Sequence, residues 1–139
     1  MADTVRKVEH FSTLVANRPG QAFRVLSTLV SAGVDLLACS GTPHGRRAQI
    51  EVVPDDSAKL RAAARKAGLD FEARKTGYLI QGKDRPGALA GHLAKLAAKH
   101  INVTGIDALT TGKGRWGAII WVEPAGVASA TKVLRARVR

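Results

Sequence analysis

The sequence predicts an α+β protein: two ferredoxin-like βαββαβ units in tandem, with antiparallel sheets, helices on one face, and a second unit lacking its last strand. Three observations lead there. Arg-Pro-Gly occurs at Arg18-Pro19-Gly20 and again at Arg85-Pro86-Gly87, each time where an apolar strand-like run gives way to a helix-like pattern. The offset, 85 − 18 = 67, also carries Leu26 to Leu93, Leu29 to Leu96 and Val34 to Ile101, the mark of an internal repeat. Finally, the 139-residue chain ends where the second copy of the fourth strand would begin.

The elements follow in order. Val8 to Ala16 is rich in strand formers and partly alternates, which predicts a first strand. From Pro19, the apolar positions Ala22, Val25, Leu26, Leu29 and Val30 recur at three and four, and Gly33 is a natural helix stop. Val34 to Ser40 reads as a second strand, Gly41 to Gly45 as a turn, and Gln49 to Val53 as a third strand. Asp55, Asp56 and Ser57 open a helix through Leu60, Ala63, Ala64 and Ala67 that stops at Gly68, with a short fourth strand from Leu69 to Ala73. The order then restarts: strand at Gly77 to Gln81, helix at Pro86 to His100, strand at Ile101 to Leu109, turn at Thr111 to Gly114, strand at Trp116 to Val122, and a last helix from Pro124. The expected division is 1–75 and 76–139. In each unit the second strand is an open edge. The missing strand leaves the first strand of the second unit uncovered as well, which invites a second copy of the chain and predicts a homodimer.

The turn has its own physics. Pro19 and Pro86 suit a first helical position, and Gly20 and Gly87 carry no side chain, so the first free N–H groups of each helix are open to an anionic group.

Composition bounds the function. One cysteine, Cys39, excludes an internal disulfide and a multi-cysteine metal site, and is expected to be a small packed side chain. No cofactor is implied. No amino-terminal apolar core and no run of eighteen apolar residues appears, so neither signal peptide nor membrane span is indicated and a cytoplasmic location is expected. The net charge of +11 makes nucleic acid a rival partner. It is disfavoured because the positive charges are scattered and aromatics are only 4%. Trp116 and Trp121, five apart, also face opposite sides of a regular strand, which breaks a stacking platform. The four histidines, His10, His44, His92 and His100, lack the spacing of a helical metal site, and His92 is expected at a helix surface or edge. Gly112-Lys113-Gly114 lacks the spacing of a phosphate loop and reads as a hairpin turn.

With the repeat and both turns in hand, the chain resembles the ACT domain family, as a tandem pair spanning nearly its whole length. The resemblance is carried by Asn17-Arg18-Pro19-Gly20 and Asp84-Arg85-Pro86-Gly87, and by Ala32-Gly33-Val34 and Lys99-His100-Ile101-Asn102-Val103 entering the second strands. It implies a non-enzymatic regulatory sensor that binds a small molecule, usually an amino acid, at the interface between ACT units, and passes the signal to a separate regulated enzyme or regulator. The residues carried over are Asp84, Arg85, Pro86, Gly87 and Ala88 with Asn102 and Val103, and in the first copy Asn17, Arg18, Pro19, Gly20 and Gln21 with Asp35. The first copy departs from the pattern: neutral Asn17 stands where the second has Asp84, and Asp35-Leu36 where the second has Asn102-Val103.

Overall fold

The computed structural model describes residues 2–138. Its elements are β1 (Thr4–Ala16), α1 (Gln21–Ser31), β2 (Leu36–His44), β3 (Arg47–Pro54), α2 (Ser57–Ala67), β4 (Glu72–Lys83), α3 (Ala88–Ala98), β5 (Val103–Gly112) and β6 (Arg115–Val122). A 3-10 turn at Pro124–Gly126 then leads into α4 (Val127–Val133).

The described chain forms two compact units, one of residues 9–74 and one of residues 75–138 together with residues 2–8. In the first unit β3 pairs antiparallel with both β1 and β2, and the beginning of β4 lies beside β1. In the second, β6 pairs antiparallel with β4 and β5. β2 and β5 are therefore edge strands of their units.

Two expectations need correction. The fourth strand read from Leu69 and the strand read from Gly77 are one continuous strand, β4, and the amino-terminal residues belong with the second unit rather than the first. Among the described residues past α4, the second unit forms a single parallel bridge, Arg6 to Arg137. Its β4 is nevertheless covered, because the start of β1 lies alongside it and Thr4 Oγ1 donates to Gln81 O at 3.4 Å. β1 begins at Thr4, not Val8, because Val5 has a core to enter among Tyr78, Ile80, Ala88, Leu96 and Ile120. The uncovered strand that predicted a homodimer does not exist.

Each unit has its own core between sheet and helices. Phe11, Val25, Leu29, Val52 and Leu60 fill the first. In the second, Tyr78 is fully buried, and its hydroxyl meets Val127 O at 2.9 Å and Thr131 Oγ1 at 2.7 Å, which clasps α4 to the sheet. Trp121 lies on the sheet face opposite the helices. Its indole covers Gly77 and Gly105, where any Cβ would collide with the ring.

Candidate functional site

Both Arg-Pro-Gly segments form the same backbone device, and it differs from the expected helix start. Gln21 N donates to Arg18 O at 3.3 Å and Ala88 N to Arg85 O at 3.2 Å, closing four-residue turns. Gly20 (φ 87°, ψ −11°) and Gly87 (φ 80°, ψ 5°) take the third-position geometry of a type II turn, with proline at the second. The helices begin one residue later, at Gln21 and Ala88. Glycine is thus demanded by its positive φ as well as by clearance. Neither helix is capped by a side chain, in contrast to α2, where the Asp56 carboxylate accepts from Ala58 N and Lys59 N at 3.0 and 3.2 Å.

Each turn is moored to a hairpin tip of its own unit: Asn17 N donates to Arg46 O at 3.1 Å and Asp84 N to Gly114 O at 2.7 Å. The register then decides which expected residues meet. Lys83 is paired with Arg115 and Arg115 with Gly112, so the Asp84–Ala88 turn sits at the hairpin end of β5. Asn102 and Val103 lie at the other end, where Val103 pairs with Val122, about 30 Å away at the rise of a strand. In the first unit Ala16 pairs with Arg47 at the hairpin end, whereas Asp35 O accepts from Asp55 N at the far end. One unit alone therefore brings together Asp84, Arg85, Pro86, Gly87 and Ala88, but not Asn102 or Val103. Likewise Asn17 to Gln21 stand together without Asp35.

Around the second turn the structure adds a cluster that sequence reading missed. The Arg85 guanidinium grips the Asp3 carboxylate with two bonds of 3.0 Å, and its Nη1 also donates to Lys83 O at 2.9 Å. His92 Nε2 meets Asp3 Oδ2 at 2.7 Å, and Trp116 Nε1 donates to Asp3 Oδ1 at 3.4 Å. The Asp3 side chain is 2% exposed. Its hydrogen bonds from Arg85 outweigh the opposing effect of burial and hold its carboxyl far below the usual carboxylate range. An ionised Asp3 accepts only, so His92 carries its proton on Nε2. His92 is buried, which rules out the helix surface and leaves the packed position of the two expected. Asp84, by contrast, is exposed. At the other end of the strand, Asn102 Nδ2 donates to Glu123 Oε1 at 3.2 Å, which leaves the Asn102 carbonyl as the free acceptor.

A cavity of about 620 Å³ opens beside this cluster, lined by Asp3, Arg85, Gly87, Gly91, His92 and Lys95 on one side and by Val133 to Arg135 on the other. The first unit has a smaller one of about 160 Å³ along β1, lined by Ser12, Thr13, Leu14, Arg47, Asp70 and Glu72. Cys39 is exposed rather than packed. No metal-binding group of three or more histidine, cysteine or acidic side chains occurs among the described residues, and no described helix is long and apolar enough to cross a membrane. Trp116, Trp121 and Tyr78 are buried, and the exposed aromatic among the described residues, Phe23, is on a helix, so no described aromatic offers nucleic-acid bases a stacking surface on the sheet.

The backbone as a whole has solved counterparts. It superposes on protein BT0572 from Bacteroides thetaiotaomicron with a TM-score of 0.76 at 19% identity, covering 96% of this chain and 88% of that one. It also superposes on the regulatory subunit of aspartate kinase from Thermus thermophilus (0.65, 17% identity, 97% and 95% covered). The same subunit from Thermus flavus gives 0.58 at 18% identity, with 96% and 94% covered. No family model and no curated protein matches the sequence. The fold is ACT-type, α+β, with tandem ferredoxin-like units like those of aspartate kinase regulatory subunits.

Proposed function

We propose that this chain is a non-enzymatic regulatory protein that senses an amino acid at the Asp84–Ala88 turn of its second unit and acts on a separate enzyme or regulator. The observation that carries the reading is the pair of type II turns feeding uncapped helices, a device the chain repeats at an offset of 67 positions. An α-carboxylate suits the open N–H groups in the first turn of α3 beyond Ala88, whose own N–H is spent on Arg85 O. The ammonium suits the exposed Asp84 carboxylate or the free carbonyl of Asn102. Arg85 is committed to Asp3 and Lys83 O, so its part is to set the shape of the turn.

The distance from the turn to Asn102 and Val103 is met by a second copy of the chain. β5 is an edge strand with Ile106 and Leu109 exposed. Antiparallel pairing of two such edges around a two-fold axis brings the start of one β5 beside the hairpin end of the other, next to its turn. The homodimer thus rests on the β5 edge. In the first unit Asn17 in place of Asp84 keeps an acceptor but removes the negative charge that would match the ammonium, so Asn17, Arg18, Pro19, Gly20, Gln21 and Asp35 form the weaker site or an idle one.

A thermal-shift screen of the twenty amino acids tests this. A ligand present at a hundred times its dissociation constant adds about 2.7 kcal/mol. At least one amino acid is expected to raise the transition, and a screen without any shift contradicts the proposal.

A further inference from the structure

The cavity flanked by α3 and the end of α4 contains more positive charge than its own contacts use. Arg85 is neutralised by Asp3, but Lys95 and Arg135, which line the same space, are exposed and have no side-chain partner among the described residues. His92, which also lines it, gives its Nε2 proton to Asp3, so its buried Nδ1 is an acceptor and adds nothing to that charge. The single acidic lining group is therefore already matched, and an entering ligand meets a net positive wall.

One backbone feature of the same wall has no explanation in the fold. Gly91 lies inside α3, where glycine is less favourable than alanine, yet a Cβ there would meet nothing within 4 Å and its φ is not positive. Neither packing nor conformation asks for glycine, and what its absence of side chain provides is access to the helix backbone from the cavity. Arg135 closes α4 in the left-handed conformation, φ 53°, with Ala136 N donating to Thr131 O at 3.0 Å, and this close sets Arg135 at the rim of the cavity. The volume, about 620 Å³, is that of a small-molecule site.

We propose that this cavity binds a small polyanion, a phosphate- or polycarboxylate-bearing metabolite. Lys95 and Arg135 meet its charge, and the bare backbone at Gly87 and Gly91 lets it lie against α3. The site borders the zwitterion site at the Asp84 turn and shares Gly87 with it, but it differs in ligand and in the charged groups that hold it, Lys95 and Arg135 against Asp84.

Calorimetric titration of the full chain with inorganic pyrophosphate and, separately, with citrate tests the proposal. At least one probe should saturate one site per chain, and the tighter of the two identifies the anion class. Lys95→Ala with Arg135→Ala should weaken that probe at least tenfold, whereas Lys59→Ala with Arg65→Ala on α2 should change it less than twofold. Gly91→Gln should weaken it at least fivefold without lowering the melting temperature. Absence of saturable binding by both probes overturns the proposal. So does an equal loss in both double variants, which would mark attraction to the overall charge, or undiminished binding by Gly91→Gln. Amino-acid shifts in the thermal screen stay unaffected in either event, so the two sites fail independently.

Discussion

The two Arg-Pro-Gly turns share a backbone and differ in what holds them. In the first unit Arg18 is exposed on a turn moored by the Asn17 amide, and the helix behind it turns fully buried Val25 into an apolar core. In the second, the residue at Val25's place, 25 + 67, is His92, and with Trp116 and Arg85 it surrounds the Asp3 carboxylate. One turn is held by its backbone alone, the other by a charged cluster reaching from the start of the chain. The difference teaches that a repeated scaffold can be specialised in one copy: a polar helix position and an acidic strand start turn a plain loop into a clamped one with a cavity beside it.

The comparison breaks most visibly at Asp3. Asp3→Asn removes the charge that Arg85 and His92 share, and with the half-exposed arginine allowed its screening, a loss of about 2 kcal/mol is expected in urea unfolding. Arg18→Ala in the other turn should cost under about 0.5 kcal/mol. Because the folded-state value of Asp3 lies below its unfolded one, its contribution is present above about pH 4 and is lost as pH falls below that. Asp3→Asn should flatten that acid limb of the stability profile, and an unchanged limb would place the acid sensitivity elsewhere.

A smaller effect tests what the turns have in common. Gly20→Ala and Gly87→Ala each force a side chain into a positive-φ position, at about 1 kcal/mol apiece. Unequal losses measured by thermal unfolding would show that the two turns do not share their geometry. Smallest is a contrast at the helix ends, where Gly33 (φ 78°) follows α1 and His100 (φ 56°) stands at the matching place after α3. His100→Gly should raise stability by a few tenths up to about 1 kcal/mol, since glycine takes that conformation freely.

Much of this was written locally. Helical periodicity at Val25, Leu26 and Leu29, the stops at Gly33 and Gly68, and the breaker-rich hairpin turns gave the order of elements, and the repeated tripeptide gave the two turns. The clamp was not legible because Asp3 and Arg85 stand 82 positions apart, and no periodicity links a carboxylate on a strand's lead-in to a guanidinium in a distant turn. Nor could spacing tell that the first residues of β1 serve the second unit, since the strand-former run begins at Val8 and only the core shows what Val5 packs against. The distance between the turn and Asn102 follows from strand register, which pairs Val103 with Val122 and Lys83 with Arg115, and register depends on the completed sheet.

The most direct test is calorimetry with the amino acid that gives the largest thermal shift, applied to Asp84→Ala and to Asn17→Ala. Both positions are exposed, so folding should be preserved. The account predicts at least a tenfold loss of affinity in Asp84→Ala and little change in Asn17→Ala. Full affinity in Asp84→Ala would contradict it.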